Sequence, residues 1–361
     1  MMSAAMRRVL VPLSLPVTTC PQGDVHTLRG TTMGTTWSVQ LVAAHDQLPA
    51  LSRVIQMALD DVVGQMSHWE ASSDLSRFNR APPGAWQVLP DAFFTVLDCA
   101  LALARDSEGA YDPTIGKLVD LWGFGPQATK RPVSTPPAFD AVEQTRRTSG
   151  WQTIQLDYAN RRAQQPGGVS LDFSSIAKGF GVDHAALALE RVGVSSYLLE
   201  VGGELRGLGV RSDGTPWWVE MERPPATSST SMPQSSDCVS ASLKRNATPL
   251  TDDDVPLDIV ALHGLSVATS GDYRRYFEHN GKRYAHTLDP RTGYPVEHTA
   301  SVTVLHSSCM VADALATLLT VLGPDAAPQY AERCNIAARM LFSSRDGMCE
   351  SCSPAFLAML S

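Results

Sequence analysis

Residues 309–323 read CMVADALATLLTVLG, an apolar stretch at helical spacing with one carboxylate inside it. A helix that is apolar all round has to be buried, so other layers of the chain must close over it. Asp313 and Thr317 stand four residues apart there, which turns both side-chain oxygens the same way. A carboxylate and a hydroxyl on an Ala/Leu/Val surface suit a hard cation. The plainer alternative is a buried Asp bonded to a hydroxyl. Upstream, Thr269-Ser270-Gly271 is a run of hydroxyls ending in a glycine, which allows backbone to approach a polar ligand. His286 and Asp289-Pro290 make a short polar turn at the exit of a strand-like run. A lone histidine there is more often a satisfied structural residue than a catalyst.

The remaining composition excludes little but excludes it firmly. With 43% hydrophobic and 18% charged residues in 361, the chain is globular and has ample core. A formal net charge of −8 argues against nucleic acid as a partner. Seven cysteines are too few and scattered for a small disulfide framework. Cys349 and Cys352 form the one close pair, read as bystanders or a local disulfide rather than a metal or redox site. Arg7-Arg8, the apolar run from Val9 to Val17 and Cys20 have the outline of an export signal. Two prolines interrupt that run, so a plain N-terminal extension over 1–27 is the equal alternative. No other apolar run is read as long enough to span a bilayer.

Along the chain, Trp37, Val39 and Leu41 alternate with polar residues, a half-buried strand after the Met33-Gly34-Thr35 turn. Residues 48–67 and 91–107 carry helical periodicity. Residues 132–149 form a weak helix, 153–156 a short strand, 167–181 a strand, polar loop and helix start, and 197–201 a buried strand. Residues 223–256 are rich in Ser, Thr and Pro and read as a long, mobile surface insertion. Without regular βαβ alternation, the fold class is α+β in one compact unit.

The common nucleotide and hydrolase motifs are absent: no Walker loop, no G-x-G-x-x-G after a strand, no H-E-x-x-H, no G-x-S-x-G. Asp172 and Lys178 are the next constellation. Asp172 ends an apolar run and Lys178 opens a helix after Ser174-Ser175, which suits a diphosphate at helix amides. A capped helix with a solvated lysine fits equally well. Trp69 and Tyr111 are by type more often core than platforms for stacking on a ligand.

The order of the motifs is more telling than any one of them. MGTTWSV, SHWEASSDLSRFN, GAYDPTIGKLVDLWGFG, LDFSSIAKGFGVD, EVGGELRGLG, VATSGDY, YAHTLDPRTGYPV and ADALATLLTVLG follow one another here. That series resembles the ApbE family, the FAD:protein FMN transferases, over residues 28–345, with 346–361 left as a C-terminal tail. The resemblance implies an α+β fold related to the tunnelling fold. It also implies magnesium-dependent transfer of FMN from FAD to a threonine hydroxyl of an acceptor protein, with release of AMP. The acceptor would be a subunit of a membrane redox complex, and the enzyme would sit on the periplasmic side of the inner membrane, with Cys20 as the candidate lipid anchor. Matched motif by motif, Met33, Trp69, Ala110, Tyr111, Asp112, Asp172, Lys178 and Thr287 are implied to contact FAD. Ser175 (by its carbonyl), Asp313 and Thr317 are implied to hold magnesium, and His286 to assist proton transfer. Glu204 stands where aspartate is commoner, and the 223–256 insertion departs from the pattern. Two alternatives share these residues, an FAD diphosphatase with water as acceptor and a flavin-binding protein without turnover.

Overall fold

In the computed structural model, which describes residues 7–14, 20–126, 134–222, 248–250, 257–271, 275–298, 300–344 and 347–361, the Met33-Gly34 turn joins two strands. Met33 and Gly34 take positive φ, 48° and 71°, the combination a two-residue hairpin loop needs to follow strand twist. Asp24–Thr32 thereby pairs antiparallel with Thr35–Ala43. The α+β class expected from the sequence is the one found. Residues gather into two compact units, one made of 1–59, 178–273 and 298–361, the other of 60–177 and 274–297.

The first unit is built on a nine-stranded sheet. From one edge its strands run Thr248–Leu250, Gly347–Cys352, Ala337–Ser344, Ala300–His306, Leu265–Gly271, Glu204–Leu208, Tyr197–Val201, Thr35–Ala43 and Asp24–Thr32. Trp37, Val39 and Leu41, two apart, share a face and are buried with Leu51, Ile55 and Leu59 of the helix Leu48–Met66 and with Val182 and Leu189 of the helix Ala177–Arg191. The helix Cys309–Arg333 packs on the strands 265–271, 300–306 and 337–344. It is long and apolar enough to cross a membrane, contrary to the expectation that no further run would be, and most of that stretch is buried inside the protein. It also breaks at Gly323, at φ 72° and ψ −174°. Pro324 has no N–H to offer the Thr320 carbonyl, and His298 Nε2 donates to that oxygen instead, at 2.6 Å.

Both chain ends are worked into this unit. Arg7–Leu10, where the sequence has the outline of an export signal, is a strand parallel to Leu257–Leu262. Arg8 Nε and Nη2 donate to Asp258 at 2.6 and 2.8 Å, and Nη1 and Nη2 to Glu350 at 2.8 and 2.5 Å. Arg339 Nε meets the same two carboxylates at 3.1 and 2.8 Å. The segment 346–361, expected as a tail, supplies the strand Gly347–Cys352 and the buried side chains of Phe356 and Met359. Cys349 and Cys352 are both free; three apart on a strand they point to opposite faces, so no local disulfide forms between them. Of the 223–256 insertion, residues 248–250 are described, and they are a strand rather than a mobile loop. A sheet edge accepts any extended backbone, whatever its side chains. The rest of that segment lies outside the described residues.

The second unit holds the helices Asp74–Arg80, Asp91–Asp106, Gly116–Leu121 and Phe139–Arg146, a three-stranded sheet and two short hairpins. The strand expected within 167–173 reduces to one bridge, Ser170 with Ile115. Gly116 explains why the approach is so close: a Cβ there would lie 2.8 Å from the Ser170 carbonyl oxygen. Trp122, Phe124 and Leu288 anchor a cluster on which Phe277 and Tyr284 stack, their ring centroids 5.1 Å apart.

Candidate active site

In the second unit, the turn Ala110-Tyr111-Asp112 is held from below. Ala110 and Tyr111 are buried, and the Tyr111 hydroxyl lies 2.9 Å from Ser175 Oγ. Asp112 Oδ1 accepts from Thr114 N and Oγ1 at 2.8 and 2.7 Å, and Oδ2 from Trp151 N at 3.3 Å. Burial raises its pKa, against the pull of those bonds. Asp172, also buried, accepts from Ser174 N at 2.7 Å and Ser174 Oγ at 2.5 Å, which closes the loop that leads into the helix Ala177–Arg191. His68 Nδ1 stands 3.9 Å from Asp172 Oδ1, a neighbour that the sequence offered no periodicity to find.

Trp69 is 49% exposed and tilts against His68 at 5.6 Å between ring centroids. An indole so exposed is not core. Thr287 is buried, its carbonyl accepting from Val296 N at 3.0 Å. His286 Nδ1 lies 3.0 Å from the Arg275 carbonyl oxygen, which can only accept. The neutral ring therefore carries its proton on Nδ1 and presents Nε2 as the basic nitrogen. Phe124 meets the same imidazole edge-on at 6.3 Å.

In the first unit, Met33 packs against the core beside Gly181. Lys178, at the start of its helix, is not a solvated lysine: its ammonium pairs with Glu204, which is 1% exposed. Gly179 N, the next amide, donates to Asp313 Oδ2 at 2.9 Å. Asp313 thus satisfies one of the amides that a helix start leaves without an internal partner. Thr317 follows one turn later on the same helix and is half-buried. Cys309, at the head of that helix, is fully buried; burial and the charges of Asp183, Glu204 and Asp313 push its thiol well above the ordinary range, so it is no nucleophile.

Thr269-Ser270-Gly271 ends a strand of the nine-stranded sheet. The three are ladder positions opposite Thr303, Val302 and Ser301, and Thr269 Oγ1 meets Thr303 Oγ1 at 2.9 Å. Among the described residues, no three His, Cys, Asp or Glu side chains gather as a metal cluster. Asp183 and His68 went unnoticed in the sequence because their partners are remote along the chain.

The ApbE family profile matches residues 33–340. The FAD:protein FMN transferase of Haemophilus influenzae is 35% identical over 367 residues, covering 96% of this chain and 95% of its own length. That of Vibrio cholerae is 36% identical over 348 residues and covers 94% of each. Among solved structures, the apo form of the flavinyl transferase ApbE of Pseudomonas stutzeri matches with a TM-score of 0.79 at 34% identity, covering 94% of this chain and 98% of that one.

Proposed function

This chain belongs to the ApbE family and is a transferase, and from that premise we propose that it moves FMN from FAD onto a threonine hydroxyl of an acceptor protein, with magnesium required and AMP released. The threonine oxygen forms a bond to the FMN phosphorus, the P–O bond to the AMP phosphate breaks, and AMP leaves with the bridging oxygen. His286 Nε2 takes the threonine proton, its ring held in that tautomer by the Arg275 carbonyl. The Asp313 carboxylate and Thr317 hydroxyl are hard oxygen donors one helical turn apart and fit a magnesium ion. Magnesium, when bound, supplies charge stabilisation to the diphosphate and the departing AMP. Ser175, assigned to the same ion through its carbonyl, belongs to the other unit, and its role rests on the family resemblance. Lys178 contributes a fixed positive charge, and Trp69 an exposed aromatic ring for the isoalloxazine.

What supports magnesium most is the buried Asp313 carboxylate held on a backbone amide, with Thr317 one turn away. The acceptor is proposed to be a subunit of a membrane redox complex. The test is incubation with FAD, magnesium and a purified acceptor domain, read by intact mass and in-gel flavin fluorescence. A mass gain of one FMN, lost with EDTA, is the expected result. AMP and free FMN with an unlabelled acceptor would make it a diphosphatase toward that partner, and FAD binding without turnover under any metal would overturn the mechanism.

A further inference from the structure

Two helix starts meet in the first unit, and each is served by a carboxylate from the other helix. Gly179, third residue of Ala177–Arg191, donates its amide to Asp313 Oδ2 at 2.9 Å. Met310, second residue of Cys309–Arg333, donates its amide to Asp183 Oδ2 at 3.0 Å. Ser308, the N-cap of that second helix, donates its hydroxyl to the same Asp183 oxygen at 2.7 Å. The two interhelix bonds are one turn apart on both helices, running in opposite directions. The helices touch backbone to backbone at this point: a Cβ on Gly179 would lie 2.3 Å from the Cys309 carbonyl oxygen and 2.8 Å from Asp313 Cβ.

Two helix starts so close bring like partial charges together, about +0.5 each, and two carboxylates offset them. Asp183 is occupied on both oxygens, since Oδ1 takes Arg206 Nη1 at 2.8 Å, and the same Nη1 reaches the Ser307 carbonyl at 3.1 Å. Arg206 and Asp183 together therefore tie down the residues that precede and open the Cys309 helix. Asp313 lies one turn further on, and Thr317 one turn beyond that.

We propose that Asp183 is a positioning residue for the cation site: by clamping the first turn of the Cys309 helix it fixes the direction in which Asp313 and Thr317 present their oxygens. This rests on the assignment of Asp313 as a magnesium ligand. Outer-shell partners of this kind set metal affinity by about 10- to 100-fold.

The experiment is titration of magnesium and of manganese into purified full-length protein without FAD, followed by calorimetry, together with the apparent KM for magnesium in the transfer reaction. Asp183→Ala is expected to weaken cation affinity by about tenfold and to raise that KM in step, while the rate at saturating magnesium holds. Asp183→Asn keeps an acceptor for Met310 N but loses the ion pair to Arg206, so it should fall between the two. A lowered melting temperature with cation affinity unchanged in both variants would reduce Asp183 to a fold-stabilising residue and overturn the proposal. If the alanine variant does not fold, unchanged affinity in Asp183→Asn overturns it alone. Asp313→Ala separates the premise: wild-type cation affinity there would remove the metal site itself, whatever Asp183 does.

Discussion

Two clusters of buried charge in the first unit use aspartate in opposite ways. Around Asp258, two guanidinium groups face two carboxylates, and Arg8 grips Asp258 with both prongs of its fork. Full charge meets full charge, and the planar fork fits the carboxylate on two atoms at once. Around Asp313, a backbone amide at a helix start, that of Gly179, is among the donors. A helix start offers only a partial charge, so this bond by itself does not neutralise a carboxylate as a guanidinium fork does. The first arrangement suits a permanent tie and the second suits an acid that still has business with a cation. Burial alone, 0% exposure for Asp258 and 6% for Asp313, does not tell them apart.

The contrast breaks most plainly at Asp313. Asp313→Ala should abolish magnesium-dependent transfer while leaving the fold largely intact, the loss of the helix-start bond costing about 0.5–2 kcal/mol by chemical denaturation. Retained transfer would put Asp313 in the same structural class as Asp258. Arg8→Ala should do the reverse: it leaves two buried carboxylates to the one guanidinium of Arg339 and is expected to cost about 3–5 kcal/mol of stability, with cation affinity in the folded fraction unchanged. A loss of affinity there would show that the two clusters are not independent.

The pH response sharpens the same distinction. Burial pushes Glu350 upward, but the Arg8 hydrogen bond and the Arg339 and Arg8 charges outweigh it, and the carboxyl ends below its ordinary value of 4.5. A depressed folded-state pKa means that its stabilisation is fully present above 4.5 and is lost as pH falls through the folded value. Melting curves taken below that point should steepen with acid in the wild type and flatten in Glu350→Gln. An equal slope in both would say that the network does not titrate with folding. The smallest effect is expected at Ser308, whose hydroxyl caps the Cys309 helix and bonds Asp183. Ser308→Ala should lower stability by about 1 kcal/mol and weaken magnesium only slightly, because Met310 N still reaches Asp183.

The sequence by itself determined what repeats within a few residues. The helices over 48–66 and 91–106, the strand 197–201 and the shared face of Asp313 and Thr317 all follow from local periodicity. The ordered motifs also carried the family. Tertiary structure alone decided what each of those residues touches. Arg8 finds Asp258 across 250 positions and Gly179 finds Asp313 across 134, and no window of sequence spans such distances. For the same reason Thr269-Ser270-Gly271 has the composition of a ligand turn and yet lies in a sheet, and 346–361 has the look of a tail and yet supplies a strand. Periodicity records which side of an element is buried; only the packed chain records which donor and which acceptor meet there.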